Sequence, residues 1–277
     1  MPNAGAAAPT ERTGPRRRAV IAALAGMITA PALLPAGGRP AAAEGFDRRR
    51  LDRLVAAYPD VLAGRDGDSV IWRDGSRMPT GAGQPERPFD VMLRAATIAD
   101  QLRQAYPAGP PAGPPARNHS PGRIRNTAFF ARMYGDCRRG EVSAQLRPVT
   151  WMPRSAPQIL PVTMVNDVAT RLERVIAALE RLPDRFKAYL VPSAGTYHCR
   201  TVADTGLPSM HASGAAIDVA VDRSDYWVWA RRRGDIPYRN RIPFEIAEPF
   251  EAEGFIWGGK WYHYDTMHFE YRPELFG

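Results

Sequence analysis

Apolar residues recur at spacings of three and four in four stretches, and each predicts an amphipathic helix. These are "FDRRRLDRLVAAYPDVL" (46–62), "FDVMLRAATIADQLRQAYP" (89–107), "RIRNTAFFARMYG" (123–135) and "PVTMVNDVATRLERVIAALERLP" (161–183). Pro59 and Pro107 stop the first two, Gly135 caps the third, and Asn166 or Asp167 caps the fourth. Alternating or β-branched runs predict strands in "SVIWRDGSRM" (69–78, with a turn at Asp74-Gly75), "VSAQLRPVTWMP" (142–153), "KAYLVPSAG" (187–195) and "AAIDVAV" (215–221). "YPAGPPAGPPARNHSPG" (106–122) reads as a linker. Helices and strands mix without regular βαβ alternation, and no repeat is visible, so the fold class is α+β rather than doubly wound α/β.

The N-terminus departs from this pattern. "RRR" (16–18) precedes the apolar run "AVIAALAGMITAPALL" (19–34) and then "PAGGRPAAAEG". A basic start, an apolar stretch and an A-x-A-like site predict a secretory signal over 1–43, cleaved after Ala43. The run falls short of the roughly 20 apolar residues that a bilayer span needs. Arg17-Arg18 also fits the twin-arginine pattern, and ordinary Sec export is the other reading. The expected location is therefore outside the cytoplasm, in the periplasm or cell envelope.

Charge and cysteines fit that location. Residues 1–43 hold five Arg and one Glu, so the formal charge of +8 becomes +4 after their removal. That mild basicity, with no basic stripe interleaved with aromatics, argues against a nucleic-acid partner. The two cysteines, Cys137 and Cys199, form an even count in an oxidising compartment and are candidates for one disulfide; two separate buried thiols are the alternative.

Chemistry gathers in the last 80 or so residues. In "PSMHASGAAIDVAV" (208–221), His211 and Asp218 flank a turn of small residues. A carboxylate in the middle of a strand is costly to bury unless a cation faces it, whether Arg, Lys or a metal. "WGGKWYHYDTMHFEYRPELF" (257–276) adds His263, Asp265 and His268. A His/Asp/His set would leave a fourth position open for water, as a catalytic zinc needs. Asp265 and His268, three apart, converge only if 265–267 turn and a strand begins near His268. The plain alternative is a structural histidine with an Asp salt bridge.

"SMHASGAAID" matches Ser-x-His-x-x-Gly-x-Ala-x-Asp at every fixed position and so resembles peptidase family M15. That family includes D-alanyl-D-alanine carboxypeptidases, D-Ala-D-Ala dipeptidases and L-alanyl-D-glutamate endopeptidases. "DTMHFEY" resembles its second motif, and "GTYHCR" (195–200) the segment carrying its arginine. The resemblance implies one zinc per chain on His211, Asp218 and His268, with Asp265 as general base and Arg200 on the substrate carbonyl or carboxylate. It makes Ser209 and Gly214 shaping residues, Ser209 lying also beside the substrate. It also implies a small antiparallel sheet with flanking helices, the core shared with the hedgehog domain, over 185–277. Residues 44–184 would then be an extension packed on that core.

The carboxypeptidase and dipeptidase branches use Glu followed by x-Trp-His. Here Asp265-Thr266-Met267-His268 looks like the endopeptidase branch. The implied activity is hydrolysis of peptidoglycan stem peptides by a monomeric enzyme, with D-alanyl-D-alanine carboxypeptidase as the alternative. A non-catalytic wall-binding or hedgehog-like module is the rival of another class; it would need neither base nor arginine. Trp257, Trp261, Tyr262 and Tyr264 either line a peptide groove or form core. His263 is either a substrate contact or an exposed loop residue, His198 is structural or on the rim, and His119 is exposed.

Overall fold

The computed structural model describes residues 45–232 and 234–277; the expected signal segment lies outside them. Helix α1 (Arg49–Ala57) buries Leu51 and Leu54 and is followed by a meander of β1 (Leu62–Asp66), β2 (Ser69–Trp72) and β3 (Arg77–Pro79). Next come α2 (Phe89–Ala95), α3 (Ile98–Arg103) and α4 (Thr127–Tyr134). A hairpin of β4 (Leu146–Trp151) and β5 (Gln158–Thr163) leads into α5 (Val168–Leu179) and the short α6 (Lys187–Leu190). The last part holds β6 (Ala216–Asp218), α7 (Trp227–Ala230), α8 (Phe244–Ala252), β7 (Phe255–Trp257) and β8 (His268–Tyr271). Three small antiparallel sheets with packed helices make the fold α+β.

One hydrophobic cluster runs from Phe46 to Leu275. Helix α5 shows why: Val168, Leu172, Val175, Ile176 and Leu179 recur at helical spacing and are all buried. The helix lies against β4 and α8, and the stacked rings of Phe250 and Phe269 tie α8 to the central strand β8. The matched burial of apolar surface on α5 and β8 holds the sheet that carries the chemistry.

Local signals moved several element boundaries. The expected helix 89–107 is two helices, because Thr97 starts a new one. Its hydroxyl accepts from Asp100 N at 3.1 Å, and the Asp100 carboxylate accepts from Thr97 N at 2.9 Å, a reciprocal capping box. The expected helix 161–183 begins only at Val168, since residues 158–163 pair with β4 and alternate in burial. Neither Asn166 nor Asp167 caps α5 through its side chain; both take left-handed backbone (φ 54° and 59°) to turn the chain out of β5. The expected strand 187–195 is α6 followed by a turn. Pro192 has no N–H for a ladder, and the pairing with Asp218 on the edge of β6 is confined to the backbone of Ala194 and Gly195 and the Ser193 hydroxyl. Among the described residues no helix is long and apolar enough to cross a membrane.

Candidate metal centre

The pairing of β6 with β8 sets Asp218 opposite His268. Asp218 Oδ1 lies 3.0 Å from His268 Nδ1, and Asp218 Oδ2 lies 3.1 Å from His211 Nε2. The two imidazole nitrogens are 3.2 Å apart. His211 comes from a single helical turn, Met210–Ser213, in which its own N–H donates to the Ser209 hydroxyl. Gly214 then reverses the chain with φ 66°. A Cβ there would meet the Leu146 side chain at 2.6 Å and Thr163 N at 3.2 Å, so only glycine lets the turn close against the β4–β5 hairpin.

Each imidazole is aimed by a contact on its far side. His211 Nδ1 donates to the Thr196 carbonyl at 2.6 Å, which leaves Nε2 for the centre. His268 Nε2 lies 3.0 Å from Glu270 Oε2, which leaves Nδ1. With metal–ligand bonds of 2.0–2.1 Å, tetrahedral donors sit about 3.3 Å apart. The observed separations of 3.0–3.2 Å fit that shape, so His211, Asp218 and His268 could hold a metal ion.

Residues 203–271 match the family model described as D-alanyl-D-alanine carboxypeptidase. This segment is similar to the M15 peptidases. No curated protein and no solved structure matches the chain. The M15 segment includes all three clustered residues and Asp265, whereas Arg200 and helices α1 to α6 precede it.

Asp265, the base that the resemblance implies, lies in the turn that precedes β8. Its N–H donates to Gly258 O at 3.0 Å and its carbonyl accepts from His268 N at 3.2 Å, so 265–268 is the turn that delivers His268 to β8. The residue is half-buried, but Oδ1 itself is closed to solvent and has no hydrogen-bond partner among the described residues. Burial first, and then repulsion from Asp218, push its pKa up to about 7, against the pull of His268, His211 and Arg200. Asp218 shows the opposite balance. Burial raises it, but the two imidazoles outweigh burial and hold the carboxyl well below the usual range.

A cavity of about 380 Å³ opens onto Asp218, Asp265 and His268 and is bordered by Arg200, Ser209 and Trp261. Arg200 is exposed at its mouth. Trp261 packs its ring edge against His268, 5.7 Å between centroids. Tyr264 does not reach the cavity, which corrects its expected place beside the substrate. It is fully buried against Tyr238 and Trp227, with its hydroxyl donating to Pro237 O at 2.9 Å. Trp257 is core as well, bonded through Nε1 to Thr266 O. His119 is half-buried instead of exposed; its carbonyl accepts from Tyr262 N. The disulfide joins Cys137 to Cys199 beside Arg200, with Cα atoms 5.7 Å apart.

His263 is not an exposed loop residue either. It lines the cavity, stacks on Phe89 and meets Trp227 edge-on. Burial, then the nearby Arg123, lower its pKa to about 4, so it is neutral in the folded protein at neutral pH. A histidine held neutral contributes stability that is complete above the unfolded pKa near 6.5 and fades as pH falls toward 4. His263→Gln should therefore flatten the fall of melting temperature between pH 7 and pH 4.5. The half-buried site makes the expected effect on the order of 1 kcal/mol. An unchanged pH profile would remove His263 from the acid response.

Sequence reasoning missed the support behind His268. Glu270 is fully buried and bonds both His268 and, at 3.1 Å, Arg272 Nη1. Arg272 Nε donates to Glu274 at 2.6 Å, and Glu274 accepts from the Tyr58 hydroxyl at 2.6 Å. Arg125 approaches Glu270 at 3.6 Å. Burial raises the Glu270 pKa, but His268 and the two guanidinium groups outweigh it and keep the carboxylate ionised. A signal was present for the first pair: His268 and Glu270 are two apart in β8 and so share one face of the strand, whereas Arg272 and Glu274 lie beyond its end. Gly122, in the presumed linker, completes this wall, for a Cβ there would lie 2.1 Å from the Trp261 ring and 2.9 Å from Glu270. Glu270→Gln keeps a hydrogen bond to His268 but removes the charge. It should weaken zinc binding about 10- to 100-fold in a chelator competition titration. Unchanged affinity would leave Glu270 as a partner of Arg272 alone.

Proposed function

We propose that the chain is a zinc peptidase that cleaves the peptidoglycan stem peptide as an L-alanyl-D-glutamate-type endopeptidase. The observation that carries this reading is the Asp265 carboxylate, whose buried, unpartnered Oδ1 belongs to a residue lining the same cavity as Asp218 and His268 of the metal-binding cluster. A binding module has no need of such a carboxylate, because an unpaired buried oxygen costs stability.

His211, Asp218 and His268 would hold the ion. When bound, zinc supplies Lewis-acid polarisation of the scissile carbonyl and makes water acidic near neutral pH. Asp265 takes the proton from the attacking water at Oδ1 and returns it to the leaving amine. Arg200, at the cavity mouth, holds the developing negative charge on the carbonyl oxygen or a neighbouring substrate carboxylate. Thr196 and Glu270 fix the two imidazoles, so little rearrangement is needed on binding. Residues 185–277 serve as the catalytic core and 44–184 as an extension that supports it. Export through the 1–43 signal would bring the enzyme to its wall substrate.

D-alanyl-D-alanine carboxypeptidase activity is the second reading, favoured by the description of the matching family. Digestion of purified peptidoglycan by the zinc-loaded protein, with fragments identified by mass, separates the two. Stem peptides freed at L-alanine support the endopeptidase; free D-alanine supports the carboxypeptidase. Binding to the wall without any cleavage would mean that the chain is a wall-binding module.

A further inference from the structure

Beside the metal-site cavity lies a second and larger one, about 650 Å³, between α4 and the 199–213 segment. The two are continuous in their lining: Arg125, Arg200, Ser209 and Met210 border both. Phe130, Ala131, Met210 and Ala212 form apolar parts of its wall. Arg138 lies on its border, as does Arg200 at the junction with the metal site. Both side chains are exposed, and among the described residues neither has an ion-pair or side-chain hydrogen-bond partner. The one acidic residue on the border, Asp136, already accepts from the Arg138 backbone N–H at 2.9 Å. The Cys137–Cys199 disulfide ties the end of α4 to the segment carrying Arg200, which fixes the two sides of the groove relative to each other.

We propose that this groove is a substrate subsite for the peptide flank beyond the scissile bond, and that Arg138 reads a side-chain carboxylate on that flank. An apolar trough suits a peptide backbone and its aliphatic stems. A guanidinium without a protein partner suits a carboxylate, which it can grip with two parallel hydrogen bonds. Continuity with the metal-site cavity makes the occupant the substrate itself. Most of the subsite, including Arg138, comes from residues that precede the M15-matching segment, so selectivity would reside in the leading part of the chain.

This inference rests on the peptidase reading, so its test separates the two. Two stem-type peptides share one scissile bond and differ only in whether the flanking side-chain carboxylates are free or amidated. Both are assayed with wild type, Arg138→Ala and Arg138→Lys, for kcat/KM with zinc and for equilibrium binding by calorimetry without added zinc. Wild type should prefer the free acid by about tenfold, as one charge-assisted contact provides. Arg138→Ala should lose that preference through KM while cleaving the amidated peptide as wild type does, and Arg138→Lys should recover part of it. Cleavage of both peptides with equal efficiency by wild type, or a preference that survives Arg138→Ala, overturns the subsite and leaves the peptidase intact. If neither peptide is cleaved, the peptidase reading fails. Calorimetry then decides the subsite alone: an acid preference lost in Arg138→Ala upholds it, and equal binding of both peptides overturns it.

Discussion

Asp265→Asn should give a folded protein that still binds zinc and wall peptide but turns over about 10²- to 10⁴-fold more slowly, the usual cost of removing a general base. The amide has the shape of the carboxylate, and the turn at 265–268 is held by backbone bonds to Gly258 and His268 that the change does not touch. Oδ1 has no protein partner to lose among the described residues. The missing property is the ability to accept a proton. Asp265→Glu adds one methylene and restores the residue type of the carboxypeptidase branch. With the pocket of Arg200, Ser209 and Trp261 unchanged, it should be slow on the same bond rather than switched to another. The readouts are kcat with defined stem peptides and the mass of the products. Wild-type turnover by Asp265→Asn would move the base elsewhere, with His263 an alternative on the cavity wall.

Replacement of either histidine should abolish activity together with the metal. Elemental analysis should find about one zinc per wild-type chain and none in His211→Ala or His268→Ala, because two remaining donors do not hold zinc against bulk water. The fold should survive in His268→Ala, since Glu270 keeps Arg272 at 3.1 Å and is not left as an unpaired buried charge. His211→Ala releases the Thr196 carbonyl, a buried but uncharged group, and should also remain folded. Circular dichroism checks folding before the metal is counted. A full equivalent of zinc in both folded variants would end the ligand assignment.

Some of this protein was legible in its residues alone. The face of α5, the β4 and β2–β3 strands, and the α+β class followed from periodicity, because the spacing of apolar residues along one face is a local property of the chain. His211, Asp218, Asp265 and His268 were legible as candidates because their spacing constrains which turns can join them. Boundaries were less visible. The Thr97–Asp100 capping box divided a single periodic run, and the pairing of 158–163 with β4 took residues that helical periodicity had claimed. The support of the site depended on tertiary structure altogether. Glu270 reads as an ordinary strand glutamate until its neighbours are known; only the fold brings Arg125 and Tyr58 into its buried network from far along the chain. Gly122 read as part of a linker until packing placed it on Trp261. Tyr264 and Trp261, three residues apart in one aromatic-rich stretch, went to different places, one to the core and one to the cavity. Local sequence sets the turn and strand that present a ligand, but orientation and burial of a side chain are decided by whichever distant segments pack against it.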